Sequence, residues 1–318
     1  MKRDANRRRF LPFLLCLAGF FASASVPAEA SNIKLSPEAQ RALDLIYSGD
    51  PDAAVSVART MQKADPQNPM GYLLEGEALW WKRYCAACEI KYGMMEAWAH
   101  GKQPEDESYF ALTDKAVQLA KEQFAIKETA EMHFFVGMGY ALKVRVYGLR
   151  NENRNAARAG VNGRAEMLRA LELDPQLADA TAALGIYNYY VDTLSPIVKL
   201  LRFFMGIPGG NKELGVKQME IGMNQGSMLA VDVRFILARA LRQYDQKYEE
   251  ALGIAEPLTV RYPQNGLFLL LVGNLNAELG RKPNARDYFT RVKASSSANA
   301  ACGARTRTMA DAFARGLE

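Results

Sequence analysis

The sequence predicts an all-α solenoid of antiparallel helix pairs with two expanded central repeats, and three observations carry that expectation. A phrase of small and apolar residues that closes on a proline recurs along the chain. Helix caps stand where that phrase would start and stop its helices. Runs that alternate apolar and polar residues, the mark of half-buried strands, are essentially absent. The chain has 318 residues, 49% of them hydrophobic, enough for a sizeable core. No tract is rich enough in charge, Pro or Ser to read as disordered.

Residues 1–30 stand apart as an export signal. Lys2, Arg3, Arg7, Arg8 and Arg9 form a basic start, Phe10 to Ala24 an apolar run, and Ala28-Glu29-Ala30 an A-x-A cleavage site, which predicts cleavage after Ala30. The apolar run is shorter than the roughly 20 residues of a membrane-spanning helix. The segment "NRRRFLP" resembles the twin-arginine export motif, with Arg7 and Arg8 as the pair and Asn6 where Ser or Thr is usual. An ordinary Sec signal with a basic start is the alternative, and either route predicts a periplasmic protein. Cys16 follows Leu15 rather than a small residue, which argues against a lipid anchor. The leader holds five of the 40 basic and two of the 35 acidic residues, so the remainder is close to neutral. Nothing in that balance points to nucleic acid.

From residue 36 onward the repeating phrase reads Ala54, Ala58, Met61, Pro66, then Gly163, Met167, Ala170, Pro175, then Ala251, Ala255, Leu258, Pro263. Its fullest form is Val272, Gly273, Asn276, Ala285, Phe289 and Val292, which fall at positions 7, 8, 11, 20, 24 and 27 of a unit that begins at Gly266. Gly76 and Gly185 each follow a proline and open a new first helix. These residues resemble the tetratricopeptide repeat (TPR) family over about 36–297. The resemblance implies a single TPR-like α-solenoid with approximate repeats at 36–68, 69–102, 131–177, 178–227, 230–265 and 266–297, and a capping helix over 298–318. Small residues at positions 8, 20 and 27 let two short helices approach closely, and the next repeat covers the remaining apolar face. Ser36-Pro37-Glu38 is an N-cap followed by an N1 proline, and Gly49 and Gly280 end first helices.

In that frame the stretch "WWKRYCAAC" turns at Arg83-Tyr84. Cys85 then opens a second helix, and Cys88 takes position 20, where the family places Ala. Cys88 is thus expected in the core, with Tyr92 and Met95 following at 24 and 27. The alternative is a redox pair, since a C-x-x-C at a helix N-terminus of an exported protein is where a thiolate is stabilised. The βαβ context of a thioredoxin-like motif is missing. Side chains at i and i+3 of a helix also lie farther apart than the roughly 3.8 Å a disulfide asks of its Cβ atoms. Cys302 has no obvious partner. Zinc would need two further ligands from among Cys302, His100, His133 and acids, so no metal or cofactor is expected. His133 reads as a packed ring, and His100 as the end of a helix that includes Trp98. No nucleophile elbow, H-E-x-x-H or phosphate loop occurs, so no catalytic residue and no enzyme activity are expected.

Two repeats are stretched. Gly137 to Gly163 and Gly185 to Gly215 exceed the regular spacing of positions 8 and 20, which puts both insertions on the same edge of the solenoid. The first carries Tyr140, Tyr147, Arg150, Arg154 and Arg158, and the arginines at helical spacing predict a basic stripe on helices lengthened by about two turns each. In the second, Ser195-Pro196 start a short helix that ends at Gly206 and Pro208, with Leu200, Leu201, Phe203, Phe204 and Met205 as a plug or a docking face. Over about 25 residues this segment resembles a eukaryotic TPR family of mitochondrial outer-membrane and lipid-linked proteins, which implies a role near membranes. The two insertions are expected to pack on each other and leave an apolar floor with a basic rim.

The function these features predict is a non-enzymatic exported scaffold that binds a partner protein or peptide through the solenoid groove and the expanded repeats. The expected contact residues are Tyr140, Tyr147, Arg150, Arg154, Arg158, Tyr187, Tyr190, Phe203, Phe204 and Met205. Two other readings stand beside it: a thiol-redox protein using Cys85 and Cys88, and an apolar-ligand or lipid carrier lined by Tyr187, Tyr189, Tyr190, Phe203 and Phe204. Neither the oligomeric state nor the partner's identity follows from the sequence.

Overall fold

The computed structural model describes residues 30–317 apart from 92, 195–198, 200, 201, 203–205 and 297. The predicted export leader, up to residue 29, and the residues Leu200, Leu201, Phe203, Phe204 and Met205 therefore lie outside the described residues.

Helix starts follow local chemistry. Ser36 accepts a hydrogen bond from the Ala39 N–H at 3.1 Å to open α1 (Pro37–Tyr47), and Gly49, at φ +87°, turns the chain away after it. Asp50 and Asn68 cap α2 (Pro51–Ala64) and α3 (Pro69–Ala87) in the same way, each with a proline in the first turn. A hairpin of β1 (Cys88–Lys91) and β2 (Met94–Ala97) follows, turning at Gly93 with φ +72°. Then come α4 (Asp106–Ile126), α5 (Ala130–Leu149), α6 (Asn153–Leu173), α7 (Ala178–Thr193) and α8 (Lys212–Gln225). The chain continues through α9 (Ala230–Ala240), prolonged by a π-helical turn (Leu241–Asp245), to α10 (Tyr248–Arg261), α11 (Gly266–Glu278), α12 (Lys282–Ala294) and α13 (Ala300–Arg315). Among the described residues, consecutive helices pack as six pairs, and α13 covers the last. The chain is an all-α helical repeat, as its sequence predicts.

The small residues do what the repeat frame expects of them. A Cβ added to Gly185 would lie 2.8 Å from the Gly215 carbonyl oxygen, and one added to Gly215 would lie 2.8 Å from that of Gly185, so α7 and α8 cross backbone to backbone. Gly137 and Gly163 form the equivalent crossing of α5 and α6, with corresponding distances of 3.3 and 3.4 Å. Those two helices run 20 and 21 residues against 13 each for α11 and α12, which is the predicted two extra turns apiece.

The second pair departs from expectation. Helix α3 runs on through Cys85, and the chain turns extended at Cys88, so the partner helix is not the segment ending near residue 102 but α4. A Cβ on Gly76 would meet Leu142 at 3.0 Å and Thr113 at 3.7 Å, so Thr113 of α4 fills the place expected for Cys88. His100 likewise ends no helix. It follows β2, donating its N–H to the Leu149 carbonyl at 2.9 Å while its Nε2 sits 3.1 Å from the Ala87 carbonyl.

The pairs curl until the first meets the last. Asn265 donates to the Tyr47 carbonyl at 2.8 Å, Tyr262 donates to Asp44 at 3.0 Å, and a disulfide joins Cys85 on α3 to Cys302 on α13. Inside the curl, the Trp81 ring packs against Tyr47, Tyr84, Phe235 and Phe268, with centroids 5.2–6.1 Å apart. First helices of the first, second, fifth and sixth pairs thus share one aromatic core, each such side chain contributing about 1.5–3 kcal/mol by burial. The open groove expected along the first helices is closed at its centre by these rings.

Gly185→Ala should therefore lower stability by about 1–3 kcal/mol in denaturant titration, because the new methyl meets backbone that cannot rotate away. Gly148→Ala on α5, where nothing lies within 4 Å, should leave stability unchanged or raise it by about 0.5–1 kcal/mol.

Candidate functional site

Charged side chains join the aromatic core. Glu77 of α3 and Asp232 of α9, each 2% exposed, both accept from Arg145 of α5. Arg145 lies 2.8 Å from Glu77 Oε1, which also accepts from the Trp81 indole N–H at 3.0 Å, and its guanidinium covers the Trp80 ring at 5.5 Å. A second, largely buried but not fully enclosed pair, Arg239 and Glu96, ties α9 to the hairpin, and Arg239 lies over Tyr84 at 5.1 Å. Arg242 holds the same hairpin through the Gly93 carbonyl at 2.9 Å while donating to Glu278 at 2.9 Å. The hairpin that replaced a helix is thus a strap across the inside of the curl. These residues were missed at the level of sequence. The visible signal was a carboxylate inside an apolar helix, Glu77 in "YLLEGEALWW".

The predicted contact residues fall in several separate places. Tyr140 faces α4: Lys121 of that helix and Lys143 of α5 itself each sit 5.7 Å from its ring. Tyr147 stacks on Phe110 at 4.7 Å. Arg150 belongs with it rather than with a stripe: it ends α5, lies over Phe110 at 5.3 Å and pairs with Asp106 and Glu152. The helix breaks at Asn151, whose φ of +59° is left-handed, so only Arg154 and Arg158 stand exposed on α6. Tyr187 does join the two expanded repeats: Arg164 of α6 covers its ring at 5.6 Å and its hydroxyl donates to the Pro208 carbonyl at 2.9 Å. Tyr190 packs edge-on to Tyr189 and Tyr244. Tyr189 is buried, its hydroxyl 2.8 Å from Asp245.

The cysteines do not form the C-x-x-C pair. Cys85 is bonded to Cys302, which supplies the partner the sequence did not reveal, and Cys88 is free and buried at the start of β1. Burial pushes the Cys88 thiol up to about 12, which keeps it protonated and unreactive. His133 is a packed ring, stacked on Phe124 at 4.6 Å with Glu166 and Glu128 at its two nitrogens.

An open cleft of about 360 Å³ lies at one edge of the first three pairs. Met61, Met70, Met132 and Phe135 supply its apolar wall, and Lys34, Asp65, Gln67, Asn68, Gln123 and Glu131 its polar rim. The Gln67 carbonyl accepts from the Gln123 amide at 2.5 Å, which joins the α2–α3 turn to α4 across the rim. Burial raises the Glu131 pKa, with Lys34 opposing the rise. Such a mixture offers adaptable sulfur contacts and both donors and acceptors for a peptide backbone.

Burial also raises Glu77, to about 7, with Arg145 opposing and Asp232 adding to the rise. A carboxyl raised in the folded state favours folding below its usual value near 4.5, and that contribution is lost as the pH climbs through about 7. Between pH 4.5 and 7 the native protein should therefore lose stability relative to Glu77→Gln, and the difference should level off above pH 8. Thermal unfolding of both proteins across that range measures it.

Residues 235–300, from within α9 to the start of α13, match the family model of the tetratricopeptide repeat. Comparison with curated proteins finds no match. That match places a tetratricopeptide repeat in the C-terminal pairs, and the same pairing of consecutive helices runs through the rest of the described residues.

Proposed function

We propose that this protein is a non-enzymatic, exported scaffold that binds a partner protein or peptide at the cleft beside α1–α5. Tetratricopeptide repeats generally mediate protein–protein contact, which supports a protein partner. The observation that carries the location is the cleft itself, with a methionine wall and a rim of amides and carboxylates, while the concave centre is occupied by the protein's own rings. Export is supported by the leader's basic start, apolar run and A-x-A site, and by the Cys85–Cys302 disulfide, a bond that persists in oxidising compartments. The redox reading loses its support because Cys85 is tied to Cys302 and Cys88 is buried. The carrier reading loses that of Tyr187, Tyr189 and Tyr190, which make internal contacts. Among the described residues no helix is long and apolar enough to cross a membrane.

Photo-crosslinking in the compartment to which the protein is exported tests the location. A photoreactive residue in place of exposed Gln67, on the cleft rim, should yield a discrete adduct with a second protein, and the same residue in place of exposed Arg158 should not. Met132→Asp should reduce the Gln67 adduct about tenfold, the loss expected of one central contact. An adduct confined to position 158 would move the site to the expanded repeats.

A further inference from the structure

We propose that processing of the leader creates a new charged group that the fold captures: the α-ammonium of Ser31, held by Asp174. This rests on the export reading of residues 1–30 but goes beyond it, because it assigns the new terminus a place and a partner. Hydrolysis of the Ala30–Ser31 amide consumes one water, leaves a carboxylate on Ala30 and an ammonium on Ser31, and requires only an endopeptidase of the export pathway.

Ser31 is a fixed point of the structure. Its N–H donates to the Gln176 carbonyl at 3.0 Å, and its own carbonyl accepts from the Ala178 N–H at 3.1 Å, a parallel bridge opposite Leu177. Its hydroxyl donates to Asp174 Oδ2 at 2.5 Å, while Asp174 Oδ1 accepts from the Gln176 N–H at 3.1 Å. The loop between α6 and α7 thus grips Ser31 on both sides. Two residues on, Ile33 is 3% exposed and its carbonyl accepts the Ser227 hydroxyl at 2.7 Å. Fully buried Asp179 holds that turn in place through the N–H groups of Ser227, Met228 and Leu229.

An amide at Ser31 has one hydrogen to give, and Gln176 takes it. A free terminus has three and a positive charge. Asp174, already bonded to the hydroxyl of the same residue, is the carboxylate that answers it, in the manner of backbone clefts that capture N-terminal amines. Processing then strengthens the link between the start of the chain and the joint of the third and fourth pairs.

Two measurements separate this inference from the reading it rests on. Intact mass of the exported protein should place its N-terminus at Ser31, and any other start overturns both. Asp174→Asn should then be made in the Ser31 form and in a form that keeps Ala28-Glu29-Ala30 ahead of Ser31. Those residues put the ammonium on Ala28 instead of Ser31, up to roughly 10 Å away along an extended chain, and the hydroxyl bond is common to both forms. The substitution should lower the melting temperature of the Ser31 form by about 2–4 °C more than that of the extended form. An equal loss in both, with the terminus at Ser31, leaves export standing and overturns the capture.

Discussion

Arg145 reaches from α5 to Glu77 on α3 and to Asp232 on α9, partners 68 and 87 residues away, and the curl of the chain is what lets one guanidinium satisfy both. Such a buried group adds little net stability, because its Coulomb gain is largely offset by desolvation. Its absence is another matter, since removing one member strands a charge at a cost of about 3–5 kcal/mol. The triad therefore acts on register: any packing that fails to bring the fifth pair opposite the second leaves a charge unanswered. Apolar burial around Trp81 provides the favourable free energy, and the charges choose which arrangement receives it. The Cys85–Cys302 bond closes a loop of 217 residues, which in chain-entropy terms adds up to about 5 kcal/mol to the same closed form.

What could be read from the sequence was local. The Gly137–Gly163 and Gly185–Gly215 crossings join residues within one helical pair, so spacing alone located them and the length of α5 and α6. Two local readings failed for stated reasons. The arginine stripe assumed a continuous helix through Asn151, where the backbone is left-handed, and so joined Arg150 to residues on another helix. The helix through Cys88 assumed a regular repeat, whereas the hairpin around Gly93 is held by Arg239 and Arg242, far along the chain. Closure itself was illegible, because repeat spacing describes each pair and its neighbours and carries nothing on how the ends meet. Glu77, beside Glu75 in the apolar run of α3, was a trace of this interior, but its partner Arg145 lies 68 residues away and could not be read from local spacing.

Closure changes how such a fold presents a surface. An open solenoid offers its concave face to partners. Here that face is filled by Tyr47, Trp81, Phe235 and Phe268, and the proposed contact falls instead at an edge, the cleft of Met61, Met70 and Met132. A closed frame holds those edges in fixed relation, which lowers the ordering cost of binding and suits a scaffold more than a flexible clamp. The N-terminal segment belongs to the same frame, since Ser31 and Ile33 bind the third to fifth pairs before α1 begins.

Native-state hydrogen exchange of the oxidised protein tests the closed frame most directly. If the first and last pairs are bound to one shared core, amides of α1 and α13 should be protected to within about 1–2 kcal/mol of those in α5 and α9, and all should open in one global event. Protection that falls stepwise from the central pairs toward α1 and α13, as in a linear array whose ends fray, would contradict it.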